Sequence, residues 1–180
     1  MMQPLLRYAS HFLAILALLW SGAALADVRV HFHSFDGSVL FGSRYPHAFV
    51  VLEGTLDDGT VVNENYGFSA RRVTPAILSG PVEHIVMTES AKSVASTNRH
   101  FTLTVDDRDY AKVIALVRSW QNAPGRFYDL DTRNCIHFVG EIAKVLGVRV
   151  TYPDNMLRRP KKWLNHVASL NPALGAARVD

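Results

Sequence analysis

The chain has 180 residues, a formal net charge of +3 and one cysteine. That length suits one domain with a single core. The charge is modest and evenly spread, which argues against sequence-specific nucleic-acid binding, and a lone thiol excludes an internal disulfide.

Residues 1–26 read as a secretory signal outside the fold. Arg7 supplies a positive start, Phe12 to Trp20 an apolar run, and Ala24-Leu25-Ala26 a small-x-small cleavage site before Asp27. The run is short of the roughly 20 apolar residues a membrane span needs. Cleavage after Ala26 is therefore expected. It would leave residues 27–180 as a single domain, secreted or periplasmic, with no stable membrane anchor. No nucleic-acid partner is expected.

Val28 to Phe35 alternates and predicts a strand whose wetter face carries Arg29, His31, His33 and Phe35. His31 and His33 share a side but lack acidic or cysteine companions at ligand spacing, so no metal and no cofactor is expected. Asp36 to Pro46 is a loop. His47 to Glu53 comes after it as a nearly unbroken apolar run, which suits a central strand covered on both faces. Asp57-Asp58-Gly59 marks a tight turn, and Thr60 to Phe68 the return strand of a hairpin.

Further along, the pattern predicts a short helix around Thr74 to Leu78 and a strand at Val82 to Thr88. A polar loop through Ser93 and a strand at His100 to Val105 come next. Asp106 or Asp107 caps a helix with Tyr110, Val113, Val117 and Trp120 inward, ended by Pro124-Gly125. Val148 to Tyr152 suggests a last short strand. Pro160 starts a C-terminal helix inside the basic cluster Arg158, Arg159, Lys161 and Lys162, which reads as a solvated helix start. The whole is α+β, its strands mostly antiparallel and its helices packed to one side.

The most informative stretch is Asn134-Cys135-Ile136-His137-Phe138-Val139. Asn134 is a good N-cap, and the apolar spacing through Ile136, Val139, Ile142 and Leu146 predicts a helix stopped by Gly147. Cys135 then takes the first helical position. The helix dipole there favours a thiolate, below the usual thiol pKa of about 8.5. A thiol nucleophile needs a base, and a third group to hold that base. His47, at a strand entrance, is the best candidate. His137 lies two residues on and points about 200° away from Cys135 around the helix. Asn65 on the return strand is the expected orienting residue, with Asn63 and Glu64 as alternatives. Backbone N–H groups at the start of the cysteine helix would form the oxyanion hole. Tyr45, Tyr66 and Tyr128 could line the cleft or pack in the core, with the core favoured.

Asn-Cys-x-x-Phe-Val opening a helix, with His-Ala-Phe-Val-Val upstream, resembles the circularly permuted NlpC-type papain-like group, which includes the lecithin:retinol acyltransferase-like enzymes. The resemblance covers about residues 40–150. It implies a permuted papain-like fold with the histidine strand before the cysteine helix, and an exported cysteine peptidase or amidase. Peptidoglycan peptides are the substrate it suggests first. Lipid acyl transfer or thioester hydrolysis is the alternative, and a non-catalytic binding module on the same fold a third. An exposed apolar helix or loop beside the site would mark a lipid enzyme, and none is obvious after the signal.

Overall fold

A computed structural model describes residues 27–37 and 45–180. The expected signal segment, and the part of the loop between 38 and 44, lie outside the described residues. Among the described residues five strands form one antiparallel sheet: β1 (Val28–Phe35), β2 (His47–Thr55), β3 (Val61–Ala70), β4 (His84–Met87) and β5 (Asn98–Val105), in the order β4-β3-β2-β1-β5. Among the described residues four α-helices accompany the sheet: α1 (Ala91–Val94), α2 (Asp107–Gln121), α3 (Cys135–Val145) and α4 (Pro160–Leu170).

Period-two alternation gives the sheet two faces. Val30, Phe32, Val50, Leu52 and Phe68 point to one, where they pack with Val113, Ile142 and Trp163 of the three long helices. The opposite face has a smaller apolar cluster, Phe35, Phe49 and Val51, capped by Val94 of α1. The expected α+β layering is therefore present, with every long helix on one side. Among the described residues no helix is long and apolar enough to cross a membrane.

Several local expectations shift. The face of β1 expected to be wetter is closed, because β1 lies between β2 and β5: His31 and His33 are only 4% and 7% exposed. Their Nδ1 atoms sit 2.8 Å from Thr102 Oγ1 and Thr97 Oγ1. The loop through Ser93 contains α1, because Ser90 caps it by accepting a bond from the Ser93 N–H. Thr74 to Leu78 is a 3₁₀ turn over Pro75–Leu78 with no buried residue. Val148 to Tyr152 is not a strand. Its backbone is held by α4 and the C-cap of that helix, the Thr151 carbonyl accepting from Trp163 Nε1 and the Arg149 N–H donating to Asn171 Oδ1.

The β2–β3 register pairs Phe49 with Gly67 and Val51 with Asn65, so two residues further on Ser69 stands opposite His47. That register decides which side chains of β3 can approach the β2 entrance.

Candidate active site

Asn134 caps α3 as its sequence predicts. Its Oδ1 accepts from the Ile136 and His137 N–H groups at 2.8 and 3.4 Å, and His137 Nδ1 accepts from the Asn134 N–H at 3.3 Å. The Asn134 amide also donates to the Leu130 and Leu157 carbonyls at 2.6 and 2.8 Å. One side chain thus starts the helix and ties its entrance to two loops. Aspartate offers acceptors only and could not replace those donations.

Cys135 is the first residue of α3 and is buried. Three backbone N–H groups, of Ala48, Ile136 and Cys135 itself, act on its sulfur and favour the thiolate. Burial outweighs them and pushes the thiol up to about 11. This corrects the expectation of a lowered pKa: desolvation of an anion in the core exceeds what one helix terminus and three amides return. The resting thiol is protonated at neutral pH.

The Ala48 contact brings the sulfur against the backbone of β2 one residue past His47. Alternation then separates the two side chains. Ala48 joins the core with Cys135, whereas His47 belongs to the face of Phe35 and Phe49. The imidazole is stacked at 8° to the Phe49 ring and lies 5.6 Å from the Phe35 ring. It also covers Gly67, where any β-carbon would collide with its Nε2. His47 and Cys135 nonetheless line one cleft of about 670 Å³ at the end of the sheet, into which β2 opens.

Asn65 does not reach His47. It sits opposite Val51, four positions before the residue opposite His47, or roughly 13 Å along the strand. Its amide is committed elsewhere: Nδ2 donates to the Glu89 carbonyl at 3.0 Å and Oδ1 accepts from the Glu89 N–H at 2.5 Å. It pins the chain after β4. Asn63 is a further two residues away, opposite Glu53. Glu64 points to the helix side, where it accepts from Tyr66 and Tyr110 hydroxyls. The length of the hairpin turn sets His47 opposite a residue beyond Tyr66, and that residue, Ser69, lies past all of Asn63, Glu64 and Asn65.

Tyr128 packs in the core, as expected. It is buried, yet it lines the cleft. Its phenol is pushed up, first by burial and second by the charge Cys135 would carry, so hydroxyl and thiol are electrostatic neighbours. Tyr45 is at the mouth, and Tyr66 lies against the core. His137 stacks on Tyr152 and stays with the cap. Among the described residues no group of three or more His, Cys, Asp or Glu could hold a metal.

No protein-family model matches the sequence. No curated protein matches it either. Among solved structures, the chain is similar to the crystal structure of the type VI secretion system effector TseH. The TM-score is 0.53 and the sequence identity 17%, over 81% of this chain and 90% of that one. At that identity the likeness is one of fold.

Proposed function

We propose that the chain is an exported cysteine hydrolase that cleaves an amide bond through a thioester on Cys135, with His47 as base and peptidoglycan peptides as substrate. One observation carries this reading. A thiol at a helix N-terminus, touched by three backbone N–H groups, shares a cleft with a histidine at a strand entrance.

Because the thiol is protonated at rest, attack is base-assisted. His47, which lines the same cleft, takes the sulfur proton as the S–C bond forms. The carbonyl oxygen becomes an oxyanion held by the Cys135 N–H at the helix start and by the Tyr128 hydroxyl. Collapse breaks the C–N bond, and the amine leaves with the proton from His47. Water then adds to the thioester, giving its proton to His47, and the acid and free thiol are released. The apolar lining of the cleft favours a second reading on the same residues, an acyl substrate borne by lipid.

Mass spectrometry of the protein incubated with peptidoglycan fragments, and separately with phospholipid, separates these readings. New peptide termini support the first and freed fatty acid the second. In addition, iodoacetamide should label Cys135 slowly at pH 7, with a rate that climbs about tenfold per pH unit towards the pKa of about 11. No turnover of either substrate, with His47→Ala leaving labelling unchanged, would reduce the fold to a binding module.

A further inference from the structure

We infer that the mouth of the cleft docks on an anionic phospholipid surface. The inference rests on the second reading of the cleft, an acyl substrate borne by lipid, and the docking itself needs no chemistry at Cys135. Among the described residues five large apolar side chains are exposed, and three of them, Leu78 (69%), Tyr45 (51%) and Val73 (46%), line this one cleft. Scattered exposed apolar residues need no explanation, but a cluster at the rim of an apolar cleft marks an interaction surface.

Chain geometry explains the exposure. β3 ends at Ala70, and the chain continues through Arg71-Arg72-Val73 into the Pro75–Leu78 turn, which buries none of its residues. Two prolines and a serine-glycine pair flank the apolar tip, so it cannot join the sheet. Tyr45, Arg158 and Pro160 at the α4 entrance line the same cleft.

Charge selects the partner. Arg71 and Arg72 directly precede Val73 in the chain, Arg158 lines the cleft along with Glu89, Arg159 follows Arg158, and all four arginines are exposed. Arg158 pairs with Asp131 at 2.9 Å, and Arg71 has only a long 3.8 Å contact to Glu83. Arg72 and Arg159 have no ion pair among the described residues. Apolar tips and a tyrosine framed by arginines match the boundary of a bilayer with negative headgroups: side chains enter the acyl region, the phenol sits at headgroup depth, and the guanidiniums meet phosphates. A hydrated wall polymer offers the arginines partners but leaves Leu78 and Val73 in water. The lipid surface therefore fits both halves of the patch.

The test uses the Cys135→Ser chain as recovered from the cell envelope, so no vesicle is consumed and the outcome is independent of catalysis. It should co-sediment with vesicles of phosphatidylglycerol and phosphatidylcholine and far less with phosphatidylcholine alone. Val73→Ser/Leu78→Ser should weaken binding at least about tenfold, from the apolar area withheld. Arg71→Gln/Arg72→Gln should weaken it too, and 0.5 M salt should reproduce that loss in the parent. All four substituted side chains are exposed, so folding is not at stake. Equal binding to neutral vesicles, binding untouched by Val73→Ser/Leu78→Ser, or preferential retention on peptidoglycan sacculi would each overturn the inference.

Discussion

Among the described residues, the Ser34 and Cys135 groupings each place a hydroxyl or thiol in the neighbourhood of a histidine, and they differ in access. Under α4, Ser34 Oγ is 2.8 Å from His100 Nε2, and His100 Nδ1 is 3.1 Å from Asn165 Oδ1. That is a nucleophile, a base and an orienting group with good hydrogen-bond distances. At the end of β2, the Cys135 thiol packs with the face of Ala48 and His47 with the face of Phe35 and Phe49, and both line one cleft. Yet Ser34 is 0% exposed, and Asn165 is further occupied by the Val179 backbone on both its oxygen and its nitrogen. The Ser34 group is a strut that satisfies buried polar atoms. Cys135 is itself buried, but it lines a cleft. The contrast teaches that a relay of matched distances is not a site unless a substrate can reach it, and that access, not resting geometry, singles out the cysteine.

The comparison breaks most readily by substitution of the two nucleophiles. Cys135→Ser should lower turnover by at least about a thousandfold, because a hydroxyl is far harder to deprotonate than a thiol. Ser34→Ala should leave turnover alone but strand His100 Nε2, at a cost of about 1–3 kcal/mol seen in a denaturant melt. The reverse pattern would move the active site under α4.

A middle-sized effect tests the imidazole. Gly67→Ala places a methyl in collision with His47 Nε2, so the ring must shift from its position over Gly67. If that position is the one from which His47 acts, kcat should change severalfold while KM and the fold hold. An unchanged kcat would show that the ring's place over Gly67 has no bearing on catalysis.

The smallest effect concerns the buried histidines away from the cleft. Burial lowers His33 and His100 to about 4 from 6.5. For His33, the neighbouring His31, Arg99 and His100 act in the same direction; for His100, the Asn165 bond and Asp36 oppose burial while Lys161 adds to it. A depressed folded pKa contributes stability that is complete above the unfolded value and is lost as pH falls through the folded one. The melting temperature should thus fall steadily between pH 6.5 and 4, with proton uptake on unfolding. Ser34→Ala should change the part of that pH dependence that belongs to His100 and leave the His33 part intact.

What can be read from sequence is local. The Asn134 cap, the Asp106 cap that accepts from the Asp109 N–H, and the Gly147 stop at φ +79° all act within a few residues of themselves. The apolar runs of β1, β2, α2, α3 and α4 likewise report which side chains must be buried, so the α+β layering and the place of Cys135 at a helix start are legible. Periodicity does not say what covers a face, and there the tertiary structure alone decides. Whether the β1 histidines meet water depends on β5, some 70 residues away in sequence, as the His31–Thr102 separation of 71 shows. The distance from Asn65 to His47 depends on a register in which four positions amount to a different neighbourhood. The thiol's pKa turns on how deeply α3 sinks its first turn, a property of packing and not of the helix terminus. The exposed tip at Leu78 is hidden in the sequence for the same reason: an apolar residue in a chain looks like core until the structure leaves it outside.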